Sequence, residues 1–336
     1  MLDERRIRVL AAALALAVGF AACSRPAENQ TAGGAAAARQ RRIAVIPKGT
    51  THEFWKSVHA GAVKAGRDQH VEIIWKGPVR EDDRDEQIKV VETFLSQGVD
   101  GIVLAPLDDR ALVPVLNDAK ARNIPVLIID SGVQWNDEVS FVATDNQHAG
   151  EMAGERLGTV LGGTGDVLVL RYAEGSASTM AREAGFLSTL AKKFPGMRVV
   201  SSNRYGGATT ETAYAAAENL LSTYKGVQGI FCPNESTTFG MLLALDAAKR
   251  SGQVTLVGFD SSPKLVEALG QGKIDSLIVQ NPFRMGEMGV TTLLNHLNGQ
   301  TVEKRLDTGA AVITRDNMNQ PDMKALLSPD LAKYLQ

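Results

Sequence analysis

Five polar side chains sit just beyond apolar runs of this chain: Lys48 after 43–46, Asp130 after 124–129, Asn234 after 229–232, Asp260 after 254–259 and Gln280 after 276–279. Singly, each reads equally well as a helix cap or a turn former. Together they bring carboxylates, amides and an amine to one kind of position, and a guanidinium such as Arg182 adds a fixed fork of donors. Phe54 and Trp55 add flat apolar faces, although alone they read as a buried aromatic pair. That mixture suits a small polyhydroxylated ligand. Each hydroxyl wants a donor and an acceptor, and the C–H faces of a ring pack on aromatics.

The elements that must position these groups alternate. Residues 43–46 make a short strand ending at Pro47. A polar loop with Gly49 follows, and the spacing of Phe54, Val58 and Ala62 predicts a helix from about Glu53. Strands at 71–75, 101–105, 124–129 and 141–144, with helices between, give the order of a parallel sheet covered on both faces. The pattern then restarts. Helices from 147, 209, 237, 263 and 284, and one through Arg182, Phe186 and Leu190 after a loop at 175–178, alternate with strands at 166–171, 199–200, 229–232, 254–259 and 276–280. The expected fold is therefore α/β, with two similar doubly wound parallel-sheet domains whose ligands bind beyond the carboxyl ends of the strands.

Other motifs are bland. The acidic run 81–86 reads as the solvated start of a helix, with Asp83 as cap, Glu86 three residues on and Gly98 closing the far end. Glycines in 162–165 precede a strand and so form a turn rather than a phosphate loop. There is no Gly-x-Ser-x-Gly elbow and no His-Glu-x-x-His helix, and the histidines are scattered. Nothing points to a nucleophile–base pair, a metal or a cofactor, so the chain reads as no enzyme.

The chain has 336 residues, enough for two domains, and 36 Lys+Arg against 38 Asp+Glu, a balance that argues against a nucleic-acid partner. Residues 1–22 form an export signal: Arg5, Arg6 and Arg8 lead into an apolar run from 9 to 22, too short to span a membrane. The run ends at Phe20-Ala21-Ala22-Cys23, which is similar to a bacterial lipoprotein cleavage site with Cys23 as the lipidated residue, although Phe20 stands where leucine is usual. Residues 23–40 are rich in Ser, Pro, Ala, Gly and Thr and read as a flexible tether. The second cysteine, Cys232, lies in an apolar strand without a partner, so no disulfide and no cysteine metal site is expected.

From about residue 41 to 330 the chain resembles the periplasmic sugar-binding proteins of ABC transporters, the ribose- and allose-binding group, in type I periplasmic binding protein form. The segments that carry the resemblance are Ile-Pro-Lys…Phe-Trp (46–55), Gln-Gly-Val-Asp-Gly-Ile-Val-Leu-Ala-Pro (97–106), Ile-Pro-Val…Asp130, Thr-Asp-Asn (144–146), Ala-Arg-Glu-Ala-Gly-Phe (181–186), Asn234-Glu235, Val-Gly-Phe-Asp (257–260) and Gln280-Asn-Pro. The resemblance implies a three-strand hinge, crossed near 143–145, 280–281 and 308–310. It divides the chain into an N-terminal lobe of 41–143 plus 281–308 and a C-terminal lobe of 144–280 plus 309–330. It implies that Phe54 and Trp55 stack on a sugar, that Asp130, Arg182, Asn234, Asp260 and Gln280 bind its hydroxyls, and that Lys48 touches the ligand as in arabinose- and autoinducer-2-binding relatives. Three positions depart from the ribose pattern. Ser131 follows Asp130 where ribose binders have arginine, His52 replaces an asparagine, and Ala208 replaces an aromatic. Ser131 is kept among the ligand-binding residues.

The expected protein is thus a monomeric, extracytoplasmic, lipid-anchored solute-binding protein that shuts on a sugar and presents it to an ABC permease. A ligand sensor feeding a membrane kinase or chemoreceptor would use the same binding chemistry. A sugar-responsive repressor is set aside, because residues 1–40 offer a signal and tether rather than a helix-turn-helix with a basic face.

Overall fold

The structure, a computed structural model, describes residues 39–335; the signal segment 1–22, the proposed lipidation site Cys23 and the tether as far as residue 38 lie outside the described residues. The expected alternation occurs twice. The first run is β1 (Arg42–Ile46), α1 (Glu53–Asp68), β2 (Glu72–Trp75), α2 (Arg84–Gln97), β3 (Gly101–Leu104), α3 (Val113–Ala121), β4 (Val126–Ile129) and β5 (Phe141–Ala143). The second is α4 (Asn146–Val160), β6 (Thr164–Arg171), α5 (Ala177–Lys193), β7 (Gly196–Tyr205), α6 (Thr210–Thr223), β8 (Gly229–Phe231), α7 (Glu235–Ala247), β9 (Thr255–Phe259), α8 (Pro263–Gly270) and β10 (Ser276–Gln280). Then α9 (Pro282–Leu297), β11 (Arg305–Asp307), β12 (Ala310–Thr314) and α10 (Pro321–Leu327) follow.

The strands form two six-stranded sheets, in the orders β2-β1-β3-β4-β5-β11 and β7-β6-β8-β9-β10-β12. All neighbours are parallel except β12, which runs antiparallel to β10 at an edge. In both sheets the first strand lies between the second and third, so the winding reverses there and a crevice opens beyond the strand ends. The central strands β3 and β4 are buried along their whole length, as continuous Val, Ile and Leu runs require when helices cover both faces. Strand β7 is ten residues long rather than the short piece expected at 199–200. It is an edge strand with a largely exposed, polar outer side, so the apolar signal covers only its middle.

The chain passes between the sheets three times: from β5 to α4, from β10 to α9, and from β11 to β12. Two of these crossings are tied together. The Thr144 hydroxyl reaches the Thr308 hydroxyl at 3.3 Å and donates to the Gly309 carbonyl at 3.2 Å, while the Thr308 amide donates to the Ala143 carbonyl at 3.1 Å.

Two helix pairs carry the residues that will matter. α1, which holds Phe54 and Trp55, lies against α9, and α4 lies against α5, which holds Arg182. Both pairs meet backbone to backbone through reciprocal glycines. A Cβ on Gly61 would overlap the Phe283 carbonyl oxygen, and one on Gly286 the Val58 carbonyl oxygen. In the other pair Gly150 faces the Arg182 carbonyl and Gly185 the Gln147 carbonyl in the same way. Backbone cannot swing aside as a side chain can, so the added methyl of Gly286→Ala must push α9 off α1. It should cost about 1–3 kcal/mol, the usual range for overpacking, and lower the urea midpoint. An unchanged midpoint would show that the two helices are not seated this tightly.

Candidate functional site

The polar residues read from the strand ends converge on one cleft between the two domains. Lys48 follows β1, Asp130 and Ser131 follow β4, Asn234 follows β8, Asp260 follows β9 and Gln280 ends β10. Lys48, Phe54, Trp55, Asp130, Arg182, Asn234, Asp260 and Gln280 line a single cavity. Ser131 lies behind that wall, fully buried. The cavity is about 30 Å³, room for roughly one water-sized body. The domains are therefore shut on each other.

Asp130 and Asp260 both adopt left-handed backbone, with φ of 61° and 68°. This conformation is uncommon outside glycine and is best tolerated by Asp and Asn. It turns each acid at its strand end back towards the cleft. The Asp130 carboxylate takes an ion pair from the Lys48 ammonium at 2.9 Å, and Lys48 also donates to Ser178 Oγ at 3.0 Å. Ser131 Oγ accepts the Ser178 amide at 3.1 Å, so its contact is with the start of α5 in the other domain. Arg182 stacks 4.0 Å over the Phe259 ring, donates from Nε to Asn146 Oδ1 at 2.8 Å and from one terminal nitrogen to the Pro233 carbonyl at 2.9 Å. Its other terminal nitrogen is buried without a protein partner.

Asp260 accepts from Gln280 Nε2 at 2.7 Å and from the Glu235 amide at 3.1 Å, while Gln280 Oε1 is buried and unpartnered. Asn234 caps α7: its Oδ1 accepts from the Thr237 hydroxyl at 2.6 Å and amide at 3.3 Å, and its Nδ2 donates to Ser236 Oγ at 3.1 Å. The bland reading of Asn234 as a cap and its place on the cavity wall thus hold together. Phe54 and Trp55 meet edge to face, 4.8 Å apart at 88°. Trp55 is also part of the apolar core with Val45, Val103 and Met285, so only part of its ring borders the cavity.

One expectation is corrected. The acidic run 81–86 is not wholly a solvated helix start. Asp83 does cap α2, accepting the Glu86 amide at 3.0 Å, and Gly98 closes the helix with φ 63°. Glu81, however, lies buried in the cleft wall. Its carboxylate accepts from Trp55 Nε1 and pairs with His52 Nδ1, each at 2.5 Å, and accepts the Tyr172 hydroxyl at 2.7 Å. Tyr172 and Glu235, which the sequence expectations do not include, also line the cavity. Tyr172 stands just past β6 as Lys48 does past β1, so the strand-end rule contained it. Glu81 carries no such mark. Among the described residues no cluster of His, Cys, Asp and Glu could hold a metal ion. None of the described helices is long and apolar enough to cross a membrane.

Residues 43–301 match the periplasmic binding protein domain. Among curated proteins the chain is 30% identical to the D-ribose/D-allose-binding protein of Pseudomonas aeruginosa over 277 residues, covering 79% of this chain and 85% of that one. It is 28% identical to the ribose import binding protein of Haemophilus influenzae, covering 83% and 93%. Among solved structures, a carbohydrate transporter solute-binding protein from Agrobacterium radiobacter with D-arabinose shares 33% identity and superposes with a TM-score of 0.84, over 87% of this chain and 100% of that one. A solute-binding protein from Agrobacterium vitis with bound D-fucose shares 35% identity at a TM-score of 0.82, over 85% and 100%.

Burial sets the electrostatics of the site. It would push the Glu81 carboxyl up, but His52 beside it and Lys48 nearby bring it down to about 2. Burial would likewise push His52 down, yet the Glu81 carboxylate draws it up to about 9, so this pair is ionised at neutral pH. Glu235 is less well served. Burial raises it to about 7, with Asp260 adding to the rise and His52 opposing it, although the Phe54 amide donates to its carboxylate at 3.3 Å.

An unfolded glutamate titrates near about 4.3. The folded protein therefore holds the Glu235 proton more tightly, and stability from this group is complete below about 4.3 and lost as pH rises through about 7. Glu235→Gln, which resembles the protonated form, should gain stability relative to the parent as pH is raised from 5 to 8. The check is the difference in urea midpoints against pH; a difference that stays flat sinks the assignment.

Proposed function

We propose a role in sugar uptake for this chain, which belongs to the periplasmic binding protein family: it is an extracytoplasmic solute-binding protein of an ABC importer that shuts its two domains on a monosaccharide or similar polyhydroxylated molecule. The observation that carries the reading is the set of hydrogen-bonding groups gathered at the strand ends. The Arg182 terminal nitrogen and Gln280 Oε1, left without protein partners in the cavity wall, are a donor and an acceptor suited to hydroxyls. Asp130 and Asp260 retain free lone pairs for the same purpose, Asn234 adds a donor, Lys48 reaches the ligand as it gives up one of its serine partners, and Phe54 with the cavity-facing part of Trp55 receives a ring face. Ser131 supports the wall through the start of α5. Solved relatives with D-arabinose and D-fucose support the ligand class.

The lobes are proposed as 41–143 plus 281–308 and 144–280 plus 309–330, with the ABC permease as the receiving partner, no chemistry on the ligand, and a monomeric protein anchored through an acylated Cys23. Because the shut cavity is about 30 Å³, the ligand must enter an opened cleft, and hinge motion at the three crossings supplies the opening.

Asp260→Asn keeps a residue that tolerates left-handed backbone but removes the carboxylate. It should abolish sugar binding in calorimetry while the fold persists, and near-normal affinity would remove Asp260 from the site. With the parent domain, a sugar at 100 times its Kd should add about 2.7 kcal/mol of stability, which a thermal-shift panel of pentoses and hexoses would reveal; silence across a broad panel counts against the ligand class. Cys23→Ser should release the protein from membranes, and a variant that stays bound would refute the anchor.

A further inference from the structure

We propose that Glu81 is the clasp of the cleft, a positioning residue whose buried carboxylate fastens His52 and Trp55 of one domain to Tyr172 of the other. Three donors converge on it: the Trp55 indole and the His52 ring from the start of α1, and the Tyr172 hydroxyl from beyond β6. A carboxylate offers about four acceptor positions, so three are filled by protein and one remains. The room for it is built in, since a Cβ on Gly49 would meet Glu81 Cγ at 2.7 Å.

Other bonds cross the same cleft. Lys48 reaches Ser178, the Ser178 amide reaches Ser131, the Phe54 amide reaches Glu235, and the Asp109 amide reaches the Gly175 carbonyl. Glu81 differs from these in what it joins. It binds the imidazole and indole that shape one wall, and it holds the other domain with the same charge. A bond to an ionised acceptor is stronger than a neutral one, and more so out of water. When the cleft opens, Glu81 keeps His52 and Trp55, but its bond to Tyr172 must be exchanged for water. Closure therefore gains a charge-assisted bond before any ligand contributes. Tyr172 can make that bond only as the neutral phenol, which burial beside Glu81 enforces by raising its pKa. Glu81 also fixes the tilt of the Trp55 ring, so the same carboxylate sets both the closed state and the aromatic wall.

The proposal rests on the cleft being the ligand site for what closure serves, but it is testable without ligand. Spin labels on exposed Lys89 of α2 and Lys192 of α5 report the interdomain distance in the ligand-free protein. Tyr172→Phe deletes one hydroxyl and should shift the closed-to-open ratio about tenfold towards open, the worth of one hydrogen bond. Glu81→Gln, which leaves an uncharged oxygen to accept the Tyr172 hydroxyl, should also open the cleft, and should shift tryptophan emission beyond the shift in Tyr172→Phe because Trp55 loses its charged acceptor as well. Adding Tyr172→Phe to it should open the cleft by less than the sum of the two single effects, because both act on one bond. Identical distance distributions for the parent and Tyr172→Phe would overturn the clasp. So would opening in Glu81→Gln alone, which would mark Glu81 as merely structural. A failed sugar screen would leave this result standing, so the two readings fail separately.

Discussion

The charged groups at the centre of the cleft are out of water, and that constraint orders the rest of the structure. An ion buried without a partner costs several kcal/mol, so each must arrive already matched. Lys48 meets Asp130, His52 meets Glu81, and Arg182 spreads over the Phe259 ring while bonding Asn146 and the Pro233 carbonyl. Each pair lies within one domain, but its members come from separate strand ends and loops far apart in the chain. A register slip in either sheet would move one member of a pair to the wrong face and leave the other unmatched. The site's electrostatics thus depend on the sheets being correct, and the sheets alone bring these distant residues together.

The two domains solve the positioning problem with the same device. In each, the helix that aims residues into the cleft is locked by another helix through glycines that face a carbonyl: Gly61 and Gly286 for α1, Gly150 and Gly185 for α5. Such contact permits little tilting, because interiors are close-packed. Phe54, Trp55 and Arg182 are therefore held to a rigid frame. Motion is left to the crossings, where Thr144 and Thr308 tie two chain segments into one hinge band. Rigid aiming and movable hinges are thus divided between different parts of the chain.

What could be read beforehand follows from how local each signal is. Buried parallel strands announce themselves as apolar runs, so the fold and the strand-end residues Lys48, Asp130, Asn234, Asp260 and Gln280 were legible, and one cavity does gather them. β7 shows only its middle in the sequence because an edge strand with a polar face carries a weak signal. Glu81 is hidden from the sequence for a sharper reason. Asp83 and Glu86 account for the local spacing as a helix cap, and nothing nearby shows that an acid two residues earlier turns inward. Its donors lie at Trp55, His52 and Tyr172, up to 91 positions away. A residue whose role is set by tertiary contacts alone leaves no local trace.

The internal pairing also bears on the kind of ligand. If Lys48 lacked Asp130, or His52 lacked Glu81, a charged ligand would have to complete the balance. Because each already has its counterion within the wall, a charged ligand would bring an unmatched ion into the cavity. A neutral molecule with many hydroxyls does not. It can use the spare lone pairs of carboxylates and the unpartnered groups of Arg182 and Gln280 without disturbing any ion pair. Glu235 is consistent with this arrangement: burial and the neighbouring Asp260 hold its proton until pH reaches about 7, limiting the excess negative charge in the shut cleft. The wall is charged and its balance is internal, which is the condition under which a strongly polar cavity favours an uncharged guest.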